Sequence, residues 1–132
     1  MASFDFNRRK NEITLSVCGK DYSFDISPTN YDFVKKVAVL SREVEELSGR
    51  YNAMPKDSLA DLEAAFDLIL EKERQVIEVL LPGKWDELFD LAGHDLLAMV
   101  DLIGFITGEI KGAGVAAKVA SVTPAVPDGP EV

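Results

Sequence analysis

Histidine and cysteine, two residue types that often serve as general base and nucleophile, occur only once each in this sequence. The one histidine, His94, precedes a predicted helix cap, and the one cysteine, Cys18, lies at a predicted tight turn. A general base needs an orienting partner and a nucleophile, and no motif in the sequence supplies either for His94. No activating group is identifiable for Cys18, and a lone cysteine excludes an intramolecular disulfide. We therefore predict no catalytic residue and a protein that is not an enzyme.

Carboxylates are abundant, and Glu63, Asp67 and Glu71 recur every four residues along one face of a predicted helix. Such a row could bind a cation or a basic partner, but helical di-metal sites use Glu-x-x-His pairs, which this sequence lacks. A row of this kind is typical of the solvated face opposite a buried stripe. Gly104 and Gly108 form a G-x-x-x-G spacing that indicates close helix packing rather than phosphate binding. We predict neither a metal nor a cofactor.

The length, composition and net charge of the chain indicate which classes of partner are disfavoured. With 132 residues, 47% hydrophobic and 28% charged, the chain has the length and balance of one globular domain. Its net charge of −9 disfavours nucleic acid and anionic lipid, which attract basic surfaces. The most apolar stretch, 96–106, contains Asp101 and is too short to span a bilayer, and the N-terminus lacks the pattern of a signal peptide. We expect a cytoplasmic protein that binds neither nucleic acid nor membrane.

The first regular element is a predicted β-hairpin with one apolar face. Apolar residues alternate with polar ones on both sides of Gly19-Lys20, which is the period of a half-buried strand. Glycine as the first of two loop residues suits a type II′ turn. A lone hairpin is marginally stable in water, so this face is expected to pack on helices or on another subunit. The alternating apolar residues are Ile13, Leu15, Val17, Tyr22, Phe24 and Ile26.

Two amphipathic helices of similar length follow, and a short loop that contains Pro55 joins them. This arrangement indicates an antiparallel helical hairpin. Ser27 and Pro28 predict the start of the first helix, which ends near Tyr51. Asp57 or Ser58 is expected to cap the second. The first stripe comprises Phe33, Val37, Leu40, Val44, Leu47 and Tyr51. The second comprises Leu59, Leu62, Phe66, Ile69, Val76 and Leu80, with Glu73 at its one polar position.

A short helix over 84–91 and a last helix from an Asp95 cap to about Lys111 complete the pattern. The last helix is apolar on nearly all sides and is therefore expected to be covered on more than one side. We predict an α+β, mainly α fold: an N-terminal β-hairpin, an antiparallel helical hairpin, two further helices and a disordered C-terminal tail. The expected divisions are a flexible arm over 1–11, one globular domain over 12–112 and a flexible tail over 113–132.

A monomer of this size has more apolar surface than it can easily bury, and leftover patches mark interaction sites. We predict that a partner binds the short helix and the last one, because large aromatics flanked by aliphatics form interface hot spots. The alternative is that these two helices are buried in the core of the same chain, packed beneath the hairpin. The predicted protein-binding residues are Trp85, Phe89, Leu96, Val100, Ile103, Phe105 and Ile106.

The order of elements resembles the tail assembly chaperones of long-tailed (siphovirus-type) bacteriophages and prophages. The similar segments are Val17-Cys-Gly-Lys-Asp-Tyr-Ser-Phe, the helical pair, and Val76-Ile-Glu-Val-Leu-Leu-Pro-Gly-Lys-Trp-Asp-Glu-Leu-Phe. The resemblance covers about residues 12–111, and Pro82 and the proline-containing tail depart from it. It implies a non-enzymatic protein of the host cell cytoplasm that coats an apolar, helical tape-measure protein during tail assembly. It also implies self-association into a homo-oligomer.

Two other functional classes fit the same residues. One is a small structural component of a virion or secretion tube, which would remain in the finished particle. The other is an acidic inhibitor that imitates nucleic acid and blocks a nucleic-acid-binding protein. Such a mimic requires carboxylates at phosphate-like spacing, whereas those of this chain are concentrated on amphipathic helices.

Overall fold

The computed structural model describes residues 1–8 and 10–122, with side chains described to residue 112. It confirms the predicted fold class, in which a two-stranded antiparallel hairpin precedes four helices. The elements are β1 (Asn11–Val17), β2 (Lys20–Ile26), α1 (Tyr31–Ala53), α2 (Leu59–Leu80), α3 (Trp85–Leu91) and α4 (Leu96–Val122).

The hairpin has the predicted apolar face but a different turn. Its two loop residues are Cys18 and Gly19, with φ of 53° and 81°, and Val17 pairs with Lys20. Positive φ at both loop positions is the type I′ pattern, so the expected type II′ turn was wrong. The type I′ twist matches the natural twist of the strands, which explains why the chain accepts a strained Cys18 there.

Side-chain caps set the starts of three helices. The Asn30 side chain accepts a hydrogen bond from the backbone of Phe33 at 3.0 Å, so α1 begins after Asn30 and not at the predicted Ser27-Pro28. Ser58 caps α2, accepting from the backbone of Asp61 at 3.3 Å. As predicted, Asp95 caps α4, accepting from Leu97 at 2.9 Å. Each cap satisfies an otherwise unpaired amide in the first turn of its helix.

The core lies where the hairpin, the α1–α2 pair, α3 and α4 meet. The hairpin therefore packs on helices of its own chain. Tyr22 fixes it to α3, because its hydroxyl donates to the Glu87 carboxylate, which also pairs with Lys20 at 2.7 Å. Burial and the bond to Glu87 raise the pKa of Tyr22 to about 12.

The last helix differs from its prediction in two respects. It buries a single stripe, formed by Met99, Ile103, Ile106 and Ile110, rather than packing on several sides. It also continues past Lys111 to Val122. Residues 113–122 include four alanines, which are strong helix formers, and the next proline occurs only at position 124. The remainder of the predicted tail, 123–132, lies outside the described residues. None of the described helices combines the length and the apolar character needed to cross a bilayer.

Candidate protein-binding surface

The structure distributes the predicted binding residues over three environments. One group lies in the core of the single chain, where a partner could reach it only if the fold opened: Trp85, Ile103 and Ile106. A second group is half-buried, and its first and last members pack against that core: Phe89, Leu96 and Val100. Phe105 alone is open to solvent, with 51% of its surface exposed. The seven residues therefore do not form one continuous surface in the isolated chain.

Three rings stack at the junction of α3 and α4. The ring centroids of Trp85 and Phe89 are 4.9 Å apart, and those of Phe89 and His94 are 4.4 Å apart. His94 has a φ of 62°, and its Nε2 lies 2.7 Å from an Asp90 oxygen. His94 therefore packs on the Phe89 ring at the C-terminal end of α3 and contacts Asp90 of the same helix.

The distal half of the helical hairpin, next to the 54–58 loop, exposes a second apolar surface. None of the described residues 49–68 is buried, whereas α1 buries side chains up to Ser48 and α2 from Ile69 onward. The predicted stripe of α2 thus continues past the part that the chain itself covers. Leu59 is 84% exposed and Phe66 40% exposed, so their expected burial was wrong.

We call the surface formed by Tyr51, Leu59, Leu62 and Phe66 the distal face. The rings of Tyr51 and Phe66 lie 5.3 Å apart, which joins the two helices across this surface. The Lys56 ammonium lies 4.6 Å from the centre of the Tyr51 ring and donates to the Tyr51 carbonyl at 2.7 Å. These contacts hold the end of α1 in a defined geometry beside the loop.

Exposed carboxylates accompany the distal face. Asp57 lies in the loop, Asp61 in the first turn of α2, and Glu63 and Asp67 follow along the same helix. Glu63 and Asp67 belong to the acidic row noted in the sequence. The distal face is therefore apolar at its centre, and the charges around it are mainly negative, with Lys56 as a cation beside Tyr51.

The outer face of α4 is also open. Leu97 and Phe105, eight residues apart, are both exposed. A side chain added at Gly104 or Gly108 would meet no other atom within 4 Å. Within the described chain, the G-x-x-x-G spacing therefore has no helix packed against it.

The most unusual polar group is Glu73, at the one polar position of the α2 stripe. It is completely buried, and neither carboxylate oxygen has a hydrogen-bond partner. Loss of solvation, together with the nearby Asp95 carboxylate, raises the pKa of Glu73 to about 8. Such a group remains protonated at neutral pH and destabilises the fold around it.

The side chains singled out for chemistry lie apart from one another. Cys18 is exposed at the tip of the hairpin, and His94 is exposed beside Asp90. In the described part of the chain, no three histidine, cysteine, aspartate or glutamate side chains come together as a metal site would require. Comparison with protein-family models, curated proteins and solved structures found no significant match to the chain.

Sequence reasoning missed the distal face because it assigned the whole α2 stripe to the core. The helix lengths could not have revealed it, because the observed α4 has 27 residues and is longer than the 22-residue α2. The distal end of α2 is exposed because of where the other elements pack on it, which the periodicity of the stripe does not specify.

Proposed function

We propose that the protein is a non-enzymatic binding protein that shields an apolar helical segment of a partner protein. On the resemblance described above, the partner is the tape-measure protein of a phage or prophage tail, and the protein is its assembly chaperone in the host cell cytoplasm. The observation that carries the proposal is the distal face, where an amphipathic stripe continues beyond the core that the chain builds for itself.

Burial of this face would be favourable. A leucine or phenylalanine side chain gains about 1.5–3 kcal/mol when it moves from water into an apolar contact. In the isolated chain Leu59 lacks most of this stabilisation and Phe66 lacks part of it, because both side chains remain exposed. A partner helix laid along the stripe, in the place that α4 occupies farther along, would recover it, as in other helix-in-groove complexes.

The charges define the partner further. Asp57, Asp61, Glu63 and Asp67 favour a helix that carries lysine or arginine beside its apolar stripe. The same carboxylates keep the unbound protein soluble and repel nucleic acid. The proposed partner is thus an amphipathic helix with basic flanks.

Replacing both Leu59 and Phe66 with glutamine should leave the protein folded and weaken binding to a co-expressed tape-measure protein roughly 100-fold, since two apolar contacts are lost. Circular dichroism checks the fold, and co-purification with titration calorimetry measures the binding. The matched control is Leu68→Gln, which removes another exposed leucine of α2 that lies on the opposite side of the helix from Phe66.

Equal affinity of the wild type, the double variant and the Leu68 variant would contradict the assignment of the distal face. A chaperone should also be absent from finished particles, whereas a structural component would be retained. Mass spectrometry of purified particles separates these two functions.

Self-association through the outer face of α4 is a second part of the proposal. Leu97 and Phe105 offer an apolar contact there, and the open Gly104 and Gly108 permit a close approach. Light scattering at micromolar concentration should give a mass well above 14.5 kDa. Because the contacts are apolar, 1 M salt should not dissociate the oligomer. A monomer at all concentrations, or dissociation by salt, would exclude this mode of association.

A further inference from the structure

A groove of about 920 Å³ runs between the N-terminal half of α1 and the C-terminal half of α2. Its apolar floor is formed by Val39, Leu40 and Val79, of which Leu40 is buried and the other two are half-buried. A floor that stays half open in the folded chain can bury further apolar surface when another molecule covers it.

The groove carries a surplus of positive charge, although the chain as a whole has a net charge of −9. Lys36 and Arg74 are exposed there, and neither forms an ion pair with another residue of the described part of the chain. One of the two carboxylates in the groove is already engaged, because Glu78 accepts a hydrogen bond from the backbone of Gly83 at 3.3 Å. The charged lining residues are Lys35, Lys36, Arg74, Asp32 and Glu78.

The distal face has the complementary chemistry. Its centre is apolar, and the carboxylates around it include Glu63 and Asp67, which are exposed on α2. The cation beside it, Lys56, is engaged with the ring and the carbonyl of Tyr51. An apolar centre edged by carboxylates matches an apolar floor edged by cations, which is the pattern of complementary protein surfaces.

The groove and the distal face cannot meet within one chain, because they lie toward opposite ends of the same two helices. Lys36 and Tyr51 are both on α1, about 22 Å apart along its axis at 1.5 Å per residue. Arg74 and Leu62 are both on α2, about 18 Å apart on the same basis. A contact between the two surfaces therefore joins two molecules.

We propose that the groove between α1 and α2 of one copy binds the distal face of a second copy. The apolar residues of the distal face cover the floor of the groove, and Glu63 and Asp67 face its cations. Because the two contact surfaces differ, the association is head to tail and can continue from copy to copy. It is separate from the contact proposed for the outer face of α4. The inference uses the distal face of the proposed function but needs no tape-measure partner.

Charge exchange between chains tests the contact by light scattering at about 0.15 M ionic strength, where repulsion between net charges is screened beyond about 8 Å. Every chain carries Phe105→Ala, which removes the contact through the outer face of α4, and this parent should still associate. Lys36→Glu with Arg74→Glu, or Glu63→Lys with Asp67→Lys, should each weaken that association roughly tenfold or more, because like charges then face each other. All four side chains are exposed, so each variant should keep the circular dichroism spectrum of the parent.

Mixing the chains makes the test specific. The groove variant and the distal variant in equal amounts should associate again, since each reversed surface then meets a surface of opposite charge. All four changes in one chain should restore association as well. The matched control is Lys10→Glu with Lys111→Glu, which changes the net charge as much as the groove variant but at exposed positions outside the groove, and which should associate like the parent.

Three results would overturn the proposal: a parent that stays monomeric up to about 1 mM, where only contacts weaker than about 4 kcal/mol escape detection, either variant associating as strongly as the parent, or a mixture that fails to recover association. Because the tape-measure protein is absent throughout, none of these results decides whether the distal face binds it. The two proposals can therefore fail separately.

Discussion

Glu73→Leu is expected to stabilise the fold by about 3 kcal/mol at pH 7, which is unusual for a single substitution. The glutamate is completely buried, and its oxygens have no partner. Its pKa is about 8 in the folded chain, against an ordinary value of 4.5. Leucine has a similar volume and carries no group that requires solvation, so it removes the cost of burying the carboxyl.

The same pKa shift sets the direction of the pH dependence. The unfolded chain releases the proton of Glu73 near pH 4.5, whereas the folded chain retains it until about pH 8. Within this window the folded state binds more protons, so the free energy of unfolding decreases by about 1.4 kcal/mol per pH unit for this group. The wild type should therefore lose stability between pH 5 and pH 8 relative to Glu73→Leu.

Urea unfolding at several pH values measures both effects. The matched control is Glu71→Leu, which changes an exposed carboxylate on the same helix and should retain the pH dependence of the wild type. Glu73→Gln should remove the pH dependence but stabilise less than leucine, because its amide remains buried without a partner. Parallel pH profiles for Glu73→Leu and Glu71→Leu would refute the assignment of a raised pKa to Glu73.

Two adjacent residues of α4 should differ strongly in how much stability is lost when each is replaced by alanine. Ile106 is completely buried in the core, so Ile106→Ala should lower the free energy of unfolding by about 2–5 kcal/mol. Phe105 is half exposed, so Phe105→Ala should change it by less than about 0.5–1 kcal/mol. Denaturant titrations followed by circular dichroism give both values.

A second readout distinguishes the roles of the two residues. If α4 associates through its outer face, Phe105→Ala should remain folded and shift the mass in light scattering toward that of the monomer. Ile106→Ala, compared under conditions where it is still folded, should retain the oligomer. A loss of several kcal/mol in Phe105→Ala would instead place Phe105 in a core contact and would remove the outer face of α4 as a binding surface.

Local patterns in the sequence were sufficient to predict the order and type of the secondary-structure elements. Strict alternation in β1 and β2 defines the apolar face of the hairpin, because side chains of a strand alternate between its two faces. The cap at Asp95 was also readable, and the cap of α2 was narrowed to Asp57 or Ser58, since these residues precede segments with helical apolar patterns and a cap bonds only to its own first turn. The start of α1 was misplaced because Ser27 and Asn30 are both good capping residues, and only the fold selects between them.

The binding surface depends on which elements cover which side chains, and the sequence does not specify this. The packing of the other elements against α2 decides that Ile69 is buried and Phe66 exposed, although both belong to the same periodic stripe. Periodicity specifies the direction in which a side chain projects from its helix, but not whether another element covers that position. The same distinction applies to Glu73. The sequence places it on the buried stripe of α2, whereas only the tertiary structure leaves its carboxyl without a partner and makes stability depend on its protonation.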